Sequence, residues 1–462
     1  MEMKMRSYSG ERLLALPQLA GLDAEERLAL RVVSAVLPFK LNSYVLDNLI
    51  DWSAVRDDPI FRMTFPAREM LPDDMFRALA TLITSGASAG ELAKAVAAAR
   101  MRLNPHPGGQ REQNVPELDG RAVAGIQHKY RETALVFPSN GQTCHAYCGY
   151  CFRWAQFVGM PGLRFSADDD STVFEYICRH REITDVLITG GDPLFMSTSV
   201  LRRWVEPLLA DQYAHVTSIR IGTKAVAYWP YRITSGPDAD DLLRLLEECS
   251  ARGKNVAVMM HVSHPRELET PVAQRAIARL RSAGATLRAQ APIIGHVNDD
   301  PAVWARMWSL MVQFGIHPYY TFVERDTGPQ EYFEVPLARA LTIFQQAQRS
   351  VSGLARTARG PVMSATPGKV VVDGETVIDG QPVFALRMLQ ARRPDLVGRP
   401  FFAHRSETAS WLTDLEPAFA DRWPWDDDNV VRLSSAPATE KRARLGQLSA
   451  HRSDPRVSER TN

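Results

Sequence analysis

The feature that most constrains the fold is a regular alternation of short apolar runs and amphipathic segments between about residues 133 and 323. Each apolar run has the length of a buried strand, and the segments between the runs have the periodicity of helices. The predicted strands are Leu135–Phe137, Val186–Thr189, Ser218–Gly222, Val256–Val262, Thr286–Pro292 and Pro318–Val323. The predicted helices are Thr172–Arg181, Ser199–Leu209, Asp238–Ser250, Pro271–Ala283 and Ala302–Phe314. Six such units predict a parallel sheet covered by helices.

Three cysteines, Cys144, Cys148 and Cys151, follow directly after the first predicted strand. Thiolates are soft ligands that prefer iron–sulfur clusters, zinc or copper(I). A closed zinc site or an electron-transfer 4Fe-4S cluster normally has four protein ligands. Three cysteines in one loop therefore predict a cluster with one iron open to a further ligand. The alternative is three buried structural cysteines, because free cysteine often packs as a small apolar residue.

A second motif, Gly190-Gly191-Asp192-Pro193, follows the second predicted strand. Two glycines permit a tight loop whose backbone a ligand can approach closely. The carboxyl ends of parallel strands lie at the same edge of a sheet, where ligands gather. We therefore expect the cysteine loop, this motif, His261, Gln290 and Tyr320 to lie on one face.

The C-x3-C-x2-C spacing, with Tyr150 before the last cysteine and the GGDP motif one strand later, resembles the radical S-adenosylmethionine (SAM) superfamily. Within it, the chain from about residue 37 to 380 resembles the lysine 2,3-aminomutase family. Segments that carry this likeness include Leu37-Pro38-Phe39-Lys40, His261-Val262-Ser263-His264-Pro265, His317-Pro318-Tyr319-Tyr320 and Pro361-Val362-Met363. The resemblance implies an α/β fold with a partial (βα)6 barrel, a helical N-terminal extension and a small C-terminal extension.

The expected organisation has four parts. Residues 1–120 form a helical region, 121–350 the barrel, 351–432 the C-terminal extension and 433–462 a disordered tail. The extension is predicted to contain a hairpin with Asp-Gly turn chemistry at Gly368–Gly380, followed by a helix at Phe384–Arg392.

The resemblance implies that the three cysteines hold a 4Fe-4S cluster whose open iron chelates SAM. One electron then cleaves SAM to methionine and a 5'-deoxyadenosyl radical. Gly190, Gly191 and Asp192 are expected to meet the amino end of SAM. Further candidates for cofactor contacts are Arg220, His261 and Gln290. The alternative for His261 and Gln290 is that they support the residues that contact the cofactor without contacting it themselves.

The same resemblance assigns candidate substrate contacts. Arg153 matches an arginine that binds the substrate carboxylate, and its alternative is a surface or cluster-tuning role. Glu324 and Asp326 lie where the family keeps an acid for the distal amine of the substrate, and their alternative is a solvated loop charge. Tyr320 is expected to face a pyridine ring, a substrate or simply the barrel mouth.

The sequence lacks the lysine to which one cofactor of the family is attached. The family uses pyridoxal phosphate (PLP), held as an imine on a lysine two residues before Pro-Val-Met, and Arg359 occupies that place. Arginine stays protonated and cannot form the imine. Lys369 and Lys224 are candidates for a displaced imine lysine. On the phosphate side, Thr133 replaces an arginine of the family, although Lys129 and Arg131 are close enough to bind an anion.

Three functions remain open from the sequence. The leading one is a PLP-independent radical SAM enzyme acting on a small amino-acid-like substrate. The others are a PLP-dependent 2,3-aminomutase with a relocated lysine and a non-catalytic protein that binds zinc or an inert cluster. The cluster also implies a reductase or flavodoxin-type electron donor, and the family likeness suggests a homodimer or larger assembly.

The composition limits the other partner classes. Lysine and arginine number 54 against 53 aspartates and glutamates, and this net charge of +1 gives no case for a nucleic-acid partner. Neither a secretory signal nor a membrane-spanning run is evident, and a cytoplasmic location is expected. The remaining cysteines, Cys178 and Cys249, fall in helical patterns and are interpreted as packing residues.

Overall fold

The computed structural model describes residues 4–109, 113–160, 162–163, 165–168 and 170–426. The expected disordered tail at 433–462 lies outside these residues. Two short antiparallel pairs precede the main sheet: β1 (Ser7–Tyr8) with β2 (Leu41–Asn42), and β3 (Glu117–Leu118) with β4 (Arg121–Ala122).

The main sheet has eleven strands in consecutive order. They are β5 (Ile126–Tyr130), β6 (Thr133–Val136), β7 (Asp185–Ile188), β8 (Ser218–Thr223), β9 (Asn255–His261), β10 (Thr286–Ile293), β11 (His317–Val323), β12 (Arg359–Ser364), β13 (Gly368–Ile378), β14 (Gln381–Ala391) and β15 (Pro400–His404). Strands β6 to β12 run parallel, whereas β5 and β13 to β15 are antiparallel to their neighbours. The sheet is open, as in a partial barrel, and all six predicted strands are confirmed.

Helices cover the outside of the parallel strands, as predicted. They include Ser171–Arg179, Thr198–Val205, Ala239–Ala251, Pro271–Ser282, Pro301–Gln313 and Leu337–Arg349. Cys178 and Cys249 lie in two of these helices. Gly284, with φ of +81°, follows the end of Pro271–Ser282, where a left-handed residue commonly ends a helix.

Alternation along the strands decides what faces the barrel interior. In β8, Ile219 and Ile221 are buried against the helices, while Arg220 and Gly222 point to the other face. Gln290 has the same orientation in β10. Successive side chains of a strand point to opposite faces. The outer face of the sheet therefore forms the apolar core, and polar side chains line the interior.

The C-terminal extension differs from its prediction in two respects. Asp379 and Gly380, with φ of +48° and +76°, form the two-residue turn of a hairpin between β13 and β14, whereas Asp373-Gly374 lies at a register shift within β13. The predicted helix at Phe384–Arg392 is wrong, because this segment belongs to β14. Its buried residues, Phe384, Leu386 and Met388, are two apart, and both edges of β14 are paired. This pairing overrides the helix propensity of a Leu-Arg-Met-Leu-Gln run.

The N-terminal region is helical, as predicted, and its longest helices lie at Ala24–Val36, Asp73–Thr84 and Ala89–Arg102. Asp23 and Glu26 form a capping box at the first of them. Shorter helices lie at Glu11–Leu14, Ser43–Asn48 and Pro59–Thr64. Within the described chain, no helix combines the length and the apolarity needed to cross a membrane.

Candidate active site

The cysteine loop follows β6, and hydrogen bonds to the N-terminal region hold it in place. The Asn42 side chain donates from Nδ2 to the carbonyl of His145 at 3.1 Å. The Lys40 ammonium donates to the carbonyl of Cys144 at 2.8 Å, and the Tyr147 amide donates to the carbonyl of Lys40 at 2.8 Å. These bonds fix the backbone around the first cysteine to Lys40 and to Asn42 of β2.

The three cysteines are partly buried. Burial raises the pKa of Cys144 well above its usual value, and the neighbouring Asp192, Cys151 and Cys148 raise it further. The pKa of Cys148 is also raised, and that of Cys151 rises to about 12, in both cases chiefly by burial. A bound metal cluster stabilises thiolates against such a shift. The donor set of three soft ligands in one loop therefore fits a 4Fe-4S cluster.

A single metal ion fits less well. Among the described residues, no three histidine, cysteine, aspartate or glutamate side chains converge closely enough to hold one ion. A closed zinc site needs four ligands that do converge.

The glycines of the GGDP motif bring its loop against the cysteine loop. A Cβ atom on Gly190, whose φ is +149°, would collide with the Gln142 side-chain amide, and one on Gly191 would collide with the Thr143 backbone. The Gly191 amide donates to the carbonyl of Gly141 at 3.0 Å. The two glycines therefore permit this close contact between the loops, in addition to the ligand approach that the sequence predicts.

Asp192 connects the GGDP loop to the end of β8. Its carboxylate, which is 1% exposed, accepts hydrogen bonds from the Thr223 hydroxyl at 2.7 Å and from the Lys224 and Leu194 amides at 2.9 Å. Asp192 therefore orders the strand ends, and its contact with SAM stays a prediction. Close by, the buried His145 Nδ1 lies 3.8 Å from Asp192 Oδ2 and has no hydrogen bond to the described residues.

A buried polar network lies behind the cysteine loop. Lys224 Nζ forms an ion pair with Glu267 at 2.7 Å, and Glu267 accepts from the Ser263 amide at 2.7 Å. The Tyr150 hydroxyl lies 2.7 Å from both Ser263 Oγ and His261 Nε2. Burial, reinforced by Lys224, holds the pKa of His261 well below its ordinary value, so its ring is neutral. His261 therefore supports Tyr150, and a direct contact of His261 with SAM stays a prediction.

Tyr228 approaches the middle cysteine from the short helix Ala225–Tyr228, which follows β8. Its hydroxyl lies 3.3 Å from Cys148 Sγ, and its carbonyl accepts from Asn42 Nδ2 at 2.9 Å. Sequence reasoning missed both Tyr228 and Asn42, because neither stands in a spacing that indicates chemistry.

A cavity of about 200 Å³ occupies the barrel interior beside the cysteine loop. Six basic side chains line it: Lys129, Arg153, Arg220, Arg325, Lys369 and Arg392. Gln290 and Tyr320 also line it, and their contacts with a cofactor or substrate stay predictions. No aspartate or glutamate of the described chain is part of its lining.

Arg153 lies between the cysteines and the cavity. Its guanidinium is 4.4 Å from the ring centre of Phe137 and 5.0 Å from that of Phe152. Burial lowers its pKa to about 10, although Cys151 acts in the opposite direction. Arg153 stays protonated near neutral pH, and it is placed to hold an anionic group near the cysteine loop.

The charge of Arg220, by contrast, is already balanced by an acidic partner. Its guanidinium forms a two-point ion pair with Asp185, with 2.7 Å between Nε and Oδ1, and the Thr133 hydroxyl donates to Asp185 at 3.0 Å. A contact of Arg220 with a cofactor stays a prediction.

The predicted acids lie after β11. Glu324 is buried, and burial raises its pKa well above the usual value, which favours the neutral carboxyl form. Asp326 is half-buried, and its carbonyl accepts from Asn104 at 2.7 Å. Arg325, between them, lines the cavity, whereas neither acid does. Their contacts with a substrate amine stay predictions.

An open parallel sheet with a three-cysteine loop after its first parallel strand and a GGDP loop after the next defines the radical SAM class of enzymes. No protein-family model matches the chain. A protein of Aquifex aeolicus, provisionally named L-lysine 2,3-aminomutase, is 30% identical over 401 residues, which cover 87% of this chain and 93% of that protein. The chain belongs to the lysine 2,3-aminomutase family, as the sequence motifs predicted.

Other matches are shorter. The L-lysine 2,3-aminomutase of Fusobacterium nucleatum is 29% identical over 239 residues, which span about half of each protein, 52% and 53%. A radical SAM methyltransferase structure from Sphaerobacter thermophilus matches with a TM-score of 0.33 and 17% identity, over 51% of this chain and 68% of that one.

Proposed function

We propose that this protein cleaves SAM at a 4Fe-4S cluster and uses the resulting 5'-deoxyadenosyl radical to abstract hydrogen from a small amino-acid-like substrate, without PLP. The observation that carries this proposal is that the partly buried cysteine loop, Arg153 and the interior cavity meet. The cluster would be held by Cys144, Cys148 and Cys151, and it would supply the electron that cleaves SAM.

The side chains of the chain have separate tasks in this proposal. Lys40 and Asn42 hold the cysteine loop in place, and Arg153 binds the carboxylate of the substrate. Tyr320 and Gln290 shape the cavity that separates the reaction from bulk water. Exclusion of water matters because a reactive intermediate is otherwise lost to side reactions.

Arg359 supports the absence of PLP. Its guanidinium lies 4.3 Å from the ring centre of Tyr320 and 4.8 Å from that of Tyr319. Arg359 thus stacks on the tyrosine that the resemblance assigns to a pyridine ring. Because a guanidinium does not form an imine, this position cannot anchor the cofactor.

The proposal extends to the partners. A reductase or flavodoxin-type protein would supply the electron, and an oxygen-sensitive cluster suits a reducing cytoplasm. The family likeness also supports a homodimer or larger assembly.

The test is product formation by anaerobically reconstituted protein. With dithionite, SAM and a panel of amino acids, we expect 5'-deoxyadenosine to form and to depend on the amino acid present. Cys148→Ala removes a cluster ligand and should abolish the product, whereas Cys249→Ala, in a helix far along the chain, should retain it. Failure of the wild-type protein across a broad panel would contradict the proposal, and stoichiometric zinc without SAM binding would favour a non-catalytic metal protein.

A second candidate, a PLP-dependent 2,3-aminomutase, is favoured by one observation. Lys369 lines the cavity, with Nζ 4.5 Å from the ring centre of Tyr130 and 5.6 Å from that of Tyr320, and burial lowers its pKa to about 7. A neutral amine in a cavity is able to form an imine. Lys224 is less suited, because it pairs with Glu267. The same reconstituted protein, given PLP, would then show the absorbance of an imine. Borohydride, which reduces the imine, should remove this absorbance, and Lys369→Met should prevent it from forming.

A further inference from the structure

Three of the basic residues that line the cavity form a group on one wall, which we call the basic wall: Lys129, Lys369 and Arg392. They come from opposite ends of the sheet, because Lys129 lies on β5, Lys369 on β13, and Arg392 directly after β14. Lys129 Nζ lies 5.3 Å from the ring centre of Tyr130, and Lys369 Nζ lies 4.5 Å from the same centre. Two ammonium groups therefore approach one aromatic ring.

The hydrogen-bond partners of the basic wall are neutral. Lys129 donates to the carbonyl of Ala365, and Lys369 donates to the Gln390 side chain at 2.5 Å. Arg392 donates to the carbonyls of Thr366 and Gln113 at 2.9 Å and to the Asn114 side chain. Elsewhere in the barrel, basic residues have acidic partners, as in the pairs Arg220–Asp185 and Lys224–Glu267. The basic wall has no such ion pair within the described chain.

Tyr130 adds an unused hydroxyl to this wall. The residue is 6% exposed, lines the cavity, and its Oη has no hydrogen bond of ordinary geometry to the described residues. Burial raises its pKa, while Arg392, Arg325 and the nearby Ser364 side chain act against that rise. A buried hydroxyl that makes no well-formed hydrogen bond is costly, and an anionic ligand would accept from it.

The lowered pKa values of the two lysines also favour an anionic ligand. Burial, together with Arg392, Arg325 and Lys369, holds the pKa of Lys129 well below its usual value. Burial, then Arg220 and Arg359, lowers the pKa of Lys369 to about 7, whereas Asp185, the partner of Arg220, acts against this fall. Clustered cations that form no ion pair of their own destabilise one another, and a ligand with negative charge reduces this repulsion.

We propose that the substrate carries a second anionic group, a carboxylate or a phosphate monoester, which is bound by Lys129, Lys369, Arg392 and the Tyr130 hydroxyl. This inference rests on the proposed function, because Arg153 is left to bind the carboxylate next to the cysteine loop. The substrate is then an acidic amino acid or a phosphorylated one. A lysine-like substrate, with a cation at its far end, would be repelled by the basic wall.

Binding of defined probes to the reconstituted protein, measured calorimetrically with and without SAM, tests the inference. The probes are L-glutamate and O-phospho-L-serine, with L-norvaline as the neutral and L-lysine as the cationic comparison. We expect one anionic probe to bind at least tenfold more tightly than L-norvaline, which is about 1.4 kcal/mol, and L-lysine to bind most weakly. Tighter glutamate binding identifies a carboxylate, and tighter phosphoserine binding identifies a phosphate. Equal binding of all four probes, or a preference for L-lysine, would overturn the inference.

Variants locate the site. Lys369→Gln and Lys129→Gln should each weaken the anionic probe at least tenfold, and Tyr130→Phe, which preserves the ring, should weaken it with little change in melting temperature. Lys94→Gln removes an exposed charge on the helix Ala89–Arg102 and should leave binding unchanged. Unchanged affinity in all three wall variants would overturn the inference.

Protonation gives an independent readout. At about pH 8, Lys369 is largely neutral, and a bound anion would raise its pKa, so binding should take up protons from the buffer. Calorimetry in two buffers with different ionisation heats measures this uptake, which should decrease in Lys369→Gln. Proton release, or tight PLP binding that none of the amino acids displaces, would overturn the inference.

The proposed function is followed separately. 5'-Deoxyadenosine formed with a neutral amino acid but no binding of anionic probes would overturn only the anionic substrate. Binding of an anionic probe without 5'-deoxyadenosine formation would instead contradict the radical chemistry.

Discussion

At the scale of single residues, the Tyr228 hydroxyl is the group best placed to act on the proposed 4Fe-4S cluster without binding it. It lies 3.3 Å from Cys148 Sγ, in surroundings where burial raises the pKa of the tyrosine well above its ordinary value. A protonated hydroxyl at this position donates to a thiolate. Hydrogen bonds to the sulfurs are among the factors that set the reduction potential of an iron–sulfur cluster.

We therefore expect Tyr228→Phe to lower the midpoint potential of the cluster, because the reduced, more negative cluster loses a donor. Iron content should stay unchanged, and the change would be read from a redox titration followed by electron paramagnetic resonance. Tyr213→Phe is the matched control, since Tyr213 is also buried but its hydroxyl donates to the carbonyl of Phe174, in the outer helical layer. Equal potentials in wild type and Tyr228→Phe would refute this role.

At the scale of elements, the fit between the cysteine loop and the GGDP loop depends on Gly191. A Cβ there would collide with the Thr143 backbone, which cannot move without displacing Cys144. We expect Gly191→Ala to lower the free energy of unfolding by roughly 1–3 kcal/mol, the usual cost of forcing extra atoms into a packed site, and to impair cluster assembly. Urea denaturation and iron analysis measure the two effects.

Gly374→Ala serves as the control for that substitution. Gly374 lies in β13, where an added Cβ would meet no atom within 4 Å. Its stability should remain close to that of the wild type. If Gly191→Ala were equally stable and assembled a full cluster, the close fit of the two loops would be unimportant.

The elements also show which parts of the fold can be predicted from the sequence. The alternation between residues 133 and 323 predicted the six strands, because period and length distinguish buried strands from helices there. Several elements outside this alternation were not recovered, and two of them show why. The seventh parallel strand, β12, is a short run that contains Pro361, and β14 resembles a helix in its residue preferences.

The candidate site was predictable only where its residues are close in sequence. The three cysteines and Gly190 to Asp192 form local motifs. The basic wall does not, because Lys129 lies about 240 residues before Lys369, and only the curvature of the sheet brings them to one ring. Asn42 and Tyr228 escape detection for the same reason, since long-range contacts define their roles.

At the scale of the whole molecule, the N-terminal helices and the cysteine loop share one hydrophobic core. Tyr150 and Trp154 are buried in it together with Val36, Met63 and Met70. The Gly149 amide also donates to the carbonyl of Met63 at 2.8 Å. The loop that is expected to bind the cluster is therefore packed partly against residues between positions 36 and 70, which belong to the N-terminal region and precede the barrel.

This shared core predicts that the barrel does not fold properly without the N-terminal region. A fragment of residues 121–426 would expose the apolar side of the cysteine loop, so we expect it to aggregate and to take up little iron on reconstitution. Co-expression with residues 1–120 should restore both solubility and iron content, because the second chain supplies the missing half of the core. Size-exclusion chromatography and iron analysis of the fragment, alone and with its complement, make the comparison. A monomeric, iron-loaded fragment in the absence of its complement would show that the N-terminal helices are dispensable for the cysteine loop.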